Sequence, residues 1–278
     1  MISSRFINRL LITACLSMIS VSFYSQGITE NKDFQPQSGQ EGKDVVWVPT
    51  PQALVDKMLD MAKITPMDFL IDLGSGDGRT VITSAKRGTR AKGIEYNPEM
   101  VILSKQNAAS EGVNDKAEFV QADLFETDLS KATVITLFLL PEINLRLRPL
   151  ILELKPGTRI VSNTFTMEDW IPDDTTNADD ADSYWNTAYM WIVPAKVEGT
   201  WRLPQGELIL KQEFQMVSGN LRSGGKTTTI FNGKLRGNDI TFFVNDSQYT
   251  GRVNGKDIEG IITSGGDATR WTATRTGN

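Results

Sequence analysis

At 278 residues, with 40% hydrophobic and 23% charged side chains, the chain has an ordinary globular composition and room for more than one domain. It contains no histidine and a single cysteine, which excludes Ser-His-Asp and Cys-His catalysis, internal disulfides and cysteine-rich zinc sites, and no metal site is expected. A net charge of −5 without a basic stripe argues against an electrostatic hold on nucleic acid, so no nucleic-acid partner is expected.

Residues 1–27 carry Arg5 and Arg9, then an apolar run from Leu10 to Tyr24, then Ser25-Gln26-Gly27. That order predicts a signal peptide, cleaved after Ser22 or Gly27, and hence export to a periplasm or beyond. Membrane anchoring by an uncleaved leader is the alternative, and after cleavage no stable membrane span is expected. Residues 28–44 are polar and read as a disordered tether.

Residues 45–195 alternate β-rich and helical stretches, the signature of an α/β fold with a parallel sheet. Thr50-Pro51 opens a helix whose apolar face is Leu54, Val55, Met58, Leu59 and Ala62. Phe69–Leu73 is the first strand, followed by a glycine-rich turn and a helix from Arg79. Ala91–Ile94 is the second strand, ending at Glu95, and Asn97-Pro98 starts the next helix. Ala117–Val120 is the third, followed by Asp123. The apolar run Val134–Leu140 reads as one strand buried on both faces. A helix from Pro141 to Leu154 stops at Pro156-Gly157, Arg159–Phe165 is the fifth strand, residues 172–183 are an acidic loop, and Tyr189–Val193 is a late strand.

Beyond residue 195 no helical period survives. Phe231–Ile240 matches Tyr249–Ile258 eighteen residues later, and each copy reads as a strand, a glycine-containing turn and a return strand. Residues 196–278 are therefore expected as a separate small antiparallel all-β domain, a sheet or partial barrel.

The segment Asp72-Leu-Gly-Ser-Gly-Asp-Gly-Arg79 carries the chemistry. Gly74, Gly76 and Gly78 let the chain turn sharply under a ligand, and the following helix offers free amides. The spacing departs from the Gly-x-Gly-x-x-Gly of dinucleotide sites, with Arg79 in place of the third glycine. Asp72 would repel a pyrophosphate but suits an ammonium. Glu95, at the end of the second strand, is placed for a ribose diol, and Asp123 for an adenine edge.

Asp72–Arg79, Gly93-Ile-Glu-Tyr-Asn-Pro98 and Asp123-Leu124 resemble the cofactor motifs of class I S-adenosylmethionine (SAM)-dependent methyltransferases. With Val48-Pro-Thr-Pro51, they are similar to a protein-lysine methyltransferase group that includes mitochondrial enzymes acting on the ATP synthase c-subunit. The resemblance spans residues 45–194 and implies a Rossmann-like SAM methyltransferase sheet with SAM as cofactor. By that resemblance Asp72, Gly74, Gly76 and Gly78 line the methionine end, Glu95 the ribose and Asp123 the adenine. Ser75, Tyr96 and Leu124 complete the predicted cofactor set. The implied activity is methyl transfer to a protein lysine or small amine. Because SAM brings its own reactivity, no histidine is needed. Glu142, Asn144 and Asn163 are the candidates to orient the acceptor, although an ordinary helix start is the better explanation of Glu142 and Asn144. The competing reading is a non-catalytic exported binding protein whose β domain engages a partner.

Overall fold

The computed structural model describes residues 34–42, 46–178 and 184–276. The predicted signal segment and residues 28–33 and 43–44 of the tether lie outside the described residues. No helix among the described residues is long and apolar enough to cross a membrane.

Seven strands form one mixed sheet: β1 (Phe69–Leu73), β2 (Arg90–Glu95), β3 (Ala117–Gln121), β4 (Val134–Leu137), β5 (Arg159–Asn163), β6 (Asp174–Asn177) and β7 (Thr187–Ile192). Their order is β3-β2-β1-β4-β5-β7-β6. β1 to β5 are parallel, whereas β7 runs antiparallel to both β5 and β6. Strands β1, β4 and β5 are almost wholly buried, and β4 accordingly lies within the near-continuous apolar run expected of a central strand. Four helices accompany the sheet: α1 (Gln52–Met61), α2 (Arg79–Lys86), α3 (Pro98–Ser110) and α4 (Pro141–Leu152). The cap at α3 is as expected, with the Asn97 side chain accepting from the Glu99 amide at 2.9 Å and Pro98 in the first turn. The strand order reverses between β1 and β4, so the crevice above their carboxyl ends is where this topology binds ligands.

Two sequence expectations need correction. The apolar run 134–140 is strand only to Leu137; the chain then leaves the sheet and carries Phe138 and Leu139 to the crevice. Residues 174–177, expected as acidic loop, form the edge strand β6. An edge position tolerates charge, and Thr175-Thr176 suits a pleated backbone, so tertiary pairing outweighs local polarity.

The remaining strands are β8 (Gly199–Leu203), β9 (Gly206–Glu213), β10 (Met216–Ser223), β11 (Lys226–Arg236), β12 (Asp239–Val244), β13 (Ser247–Asn254), β14 (Asp257–Ser264) and β15 (Asp267–Thr276). Each pairs antiparallel with its neighbour, and β15 pairs back with β8 to close an eight-stranded barrel. The sequence repeat corresponds to the β11–β12 and β13–β14 hairpins. Eight strands leave an interior just wide enough for side chains, and here Trp201, Phe242, Tyr249 and Trp271 fill it with aliphatic neighbours. Gly251 and Gly260 make that possible, because a Cβ on either would lie within 3.0 Å of the Trp271 ring. Closure also removes the exposed edges that an open sheet would present.

The barrel packs on the sheet through polar and aromatic contacts. Phe214 stacks on Trp170 at 5.7 Å, Gln215 donates to the Ile171 carbonyl at 2.7 Å, and Arg236 pairs with Asp174 at 2.5 Å.

Candidate functional site

The carboxyl ends of β1, β2 and β4 open into a cleft. Gly74 and Ser75 both donate their amides to the Ile94 carbonyl, at 2.9 and 3.0 Å, which bends the chain over β2. Gly74, Gly76 and Gly78 all have positive φ, the conformation that side chains disfavour. Their roles differ. Gly74 and Gly76 line the cleft, whereas Gly78 packs: a Cβ there would lie 2.7 Å from the Phe119 ring.

Glu95 braces the turn. One carboxylate oxygen accepts from the Gly76 amide and the other from the Asn97 amide, each at 2.9 Å. A carboxylate has room for further donors at both oxygens, so Glu95 is oriented and still able to bind. Asp72 is buried at the end of β1 and accepts a 2.6 Å hydrogen bond from the Thr136 hydroxyl on β4. Burial pushes its carboxyl up to about 7, against the lowering effect of Thr136, and the negative charges of Glu95 and Asp77 push in the same direction. The Ser75 hydroxyl is buried beside the cleft with no protein partner. Tyr96, Asp123 and Leu124 line the same cleft.

Of the predicted cofactor set, the structure thus brings Asp72, Gly74, Ser75, Gly76, Glu95, Tyr96, Asp123 and Leu124 to one cleft and leaves Gly78 behind it. The acceptor candidates fall elsewhere. Glu142 is exposed and outside the cleft lining. Asn144 is buried, and its amide reaches the carbonyls of Phe165 at 3.4 Å and Thr166 at 3.3 Å. Asn163 is buried too, donating to the Thr50 hydroxyl at 3.3 Å and accepting from Thr164 at 2.8 Å. Asn144 thus holds the backbone after β5, and Asn163 ties the side chains of Thr50 and Thr164 together.

Sequence reasoning missed several contributors. Trp47 lies over Gly76, and its segment folds back through Gly39 N–H to Trp47 O (2.8 Å) and Trp47 N–H to Gln40 O (2.9 Å). Gln40, Glu41 and Gly42 therefore line the cleft, although they belong to the stretch expected as tether. Arg79 grips Asp77 at 2.6 Å and the Thr50 carbonyl at 2.9 Å, tying the start of α2 to the chain ahead of α1. Phe138 lines the cleft from the segment after β4.

The lining is acidic. Glu41, Asp72, Asp77, Glu95 and Asp123 face it with Arg79 as the sole cation among the described lining residues, and Arg79 is already paired. A glycine cradle, an orphan hydroxyl and this excess of carboxylates fit a ligand with a cationic amino acid end and a ribose. They do not fit a polyphosphate.

Comparison with known proteins agrees. Residues 72–174 match the family model of the ANTKMT methyltransferase domain. A protein-lysine N-methyltransferase of Saccharolobus islandicus is 41% identical over 152 residues, covering 54% of this chain and 94% of that protein. The human lysine N-methyltransferase of the ATP synthase c-subunit is 34% identical over 140 residues, half of this chain and 59% of that protein. A crystal structure described as an RNA methyltransferase from Salinibacter ruber, bound to S-adenosyl-L-homocysteine, is 47% identical. The match covers 54% of this chain and 96% of that one, with a TM-score of 0.51.

Proposed function

Because the chain belongs to the SAM-dependent methyltransferase family that includes the archaeal protein-lysine N-methyltransferase, we propose that it methylates a lysine side chain of a protein, with SAM as donor. The observation that carries the reading is the acid-lined cleft above the glycine turn, into which Asp72, Ser75 and Glu95 converge. SAM supplies a methyl group on a sulfonium, a good leaving group, so the protein's task is to hold and align the two reactants.

This chain's own residues divide that task. The glycine turn leaves space for the amino acid end, Asp72 neutralises its ammonium, and the Ser75 hydroxyl offers a hydrogen bond. Glu95, held by the Gly76 and Asn97 amides, accepts from the ribose hydroxyls, and Asp123 and Leu124 bound the adenine. Trp47, drawn back over Gly76, covers the turn and excludes water. The acceptor amine must lose a proton before it attacks, and buried Leu139 in the cleft wall favours the neutral form by desolvation.

The description of the Salinibacter protein raises RNA as an acceptor; the charge of this cleft favours a cationic one. Labelled SAM incubated with the protein and a cell extract separates the two. Label that protease removes and ribonuclease spares supports lysine, whereas label in RNA overturns that acceptor. Failure of SAM to bind in calorimetry overturns the transferase and leaves a non-catalytic binding protein. Export by residues 1–27, or anchoring by an uncleaved leader, belongs to the same proposal; a fused reporter active only outside the cytoplasm tests it.

A further inference from the structure

Three aromatic rings meet beside the cleft and are absent from the packed cores on either side of the sheet. Phe138 and Phe165 stack at 6.0 Å with 24° between planes, and Trp185 meets Phe138 edge-on at 5.6 Å and Phe165 at 5.8 Å. All three are half-buried, whereas Trp170 and Trp191 are fully buried. Phe138 also lines the cofactor cleft, so the trio continues its wall outward.

The backbone departs from easy geometry to place one of these rings. Thr164 has φ 61°, rare for a β-branched residue, and the Phe165 amide donates to the Asn163 carbonyl at 2.6 Å. That is a γ-turn of the strained kind. Asn163 is anchored to Thr50, the Thr164 amide donates to the Thr187 carbonyl at 2.7 Å, and Asn144 holds the Phe165 carbonyl. Strain that surrounding contacts maintain in this way clusters at functional sites. Here its product is the position of Phe165 against Phe138.

We propose that Phe138, Phe165 and Trp185 form the acceptor subsite, where the alkyl stem of a lysine lies across the rings and its cationic head meets their faces. This rests on the methyltransferase reading above. The rings touch one another, so they make a wall and not a closed cage; the head group meets one face at a time. Aromatic faces attract ammonium ions, more so when desolvated. A nucleobase could stack on the same rings. The five cleft carboxylates repel its phosphates and favour a cation.

The test titrates full-length protein, alone and loaded with S-adenosylhomocysteine, with Nα-acetyl-Nε-trimethyl-lysine methylamide and with a uridine oligonucleotide. The lysine compound should bind wild type and bind roughly 2- to 30-fold more weakly to F165L and W185L. Affinity for S-adenosylhomocysteine should be unchanged in both, which also certifies their folding. F165Y and W185F, which keep a ring face, should bind both ligands and serve where a leucine variant does not fold. Equal lysine affinity in the leucine variants, loss of it in the ring-preserving ones, or preference for the oligonucleotide overturns the proposal. Wild type that binds the lysine compound but not S-adenosylhomocysteine sinks the methyltransferase reading instead.

Discussion

Lys234 on barrel strand β11 places its ammonium 3.1 Å from Asp173, a carboxylate with no exposed surface at the start of the sheet's edge strand. The other Asp173 oxygen accepts from the Ile192 amide at 3.0 Å, so the buried charge links the edge strand, its neighbour and the barrel. Removing one partner of such a pair strands the other. K234M should therefore destabilise the protein by about 1–3 kcal/mol, less than a fully buried pair because Lys234 is itself half exposed. D173N, which keeps an acceptor for Ile192, should cost less, and the K234M/D173N double variant should recover part of the loss. Chemical denaturation of the four proteins measures this; strictly additive losses would show that the pair is not coupled.

Trp47 and Gly76 make a second close relationship. A Cβ on Gly76 would lie 2.4 Å from the Trp47 indole nitrogen, and φ there is 52°. G76A should lower the affinity for S-adenosylhomocysteine at least tenfold, through both the clash and the backbone penalty of about 1 kcal/mol. W47A/G76A should regain the part due to the clash alone. Calorimetry on the single and double variants decides: no recovery in the double variant would mean that Trp47 does not close over the turn.

Much of this was legible in the sequence because the carriers are local. The glycines follow a buried strand, and Glu95 and Asp123 terminate the next two strand regions, so period and punctuation alone locate the cleft. Barrel closure was not legible, since pairing of β15 with β8 joins residues about 75 apart in the chain, such as Thr276 and Thr200. The repeat revealed hairpins and said nothing of their curvature. Thr136, whose hydroxyl holds Asp72, looked like one more member of an apolar strand. Phe165 reads as strand because nothing in Ser-Asn-Thr-Phe signals a γ-turn; Asn144, Thr50 and Thr187 impose it from elsewhere in the chain. Trp47 was not legible because a short apolar run ahead of the first helix carries no period, and only the backbone bonds to Gly39 and Gln40 fold it over Gly76.

Asp72 offers a prediction in pH. In the ligand-free protein its carboxyl is raised from 3.8 to about 7 by burial, so between roughly pH 4 and 7 the folded chain holds a proton that the unfolded chain has released. The contribution of this group to stability is fully present below pH 4 and is lost as pH rises through 7. D72N, which cannot ionise, should accordingly melt higher than wild type at pH 8, by a shrinking margin as pH falls, and about equal to it near pH 4. Binding runs the other way. A ligand with an α-ammonium group selects the ionised carboxylate, so affinity for S-adenosylhomocysteine should rise roughly tenfold from pH 6 to pH 8 as Asp72 loses its proton. D72N should bind weakly and without that slope. Calorimetry and thermal melts across this range read both effects, and a wild-type affinity independent of pH, or a slope that survives in D72N, would assign the ammonium to another group. On the proposed function, the same buried carboxylate costs stability in the empty protein and gains its partner when the cofactor arrives, the trade expected of a binding residue.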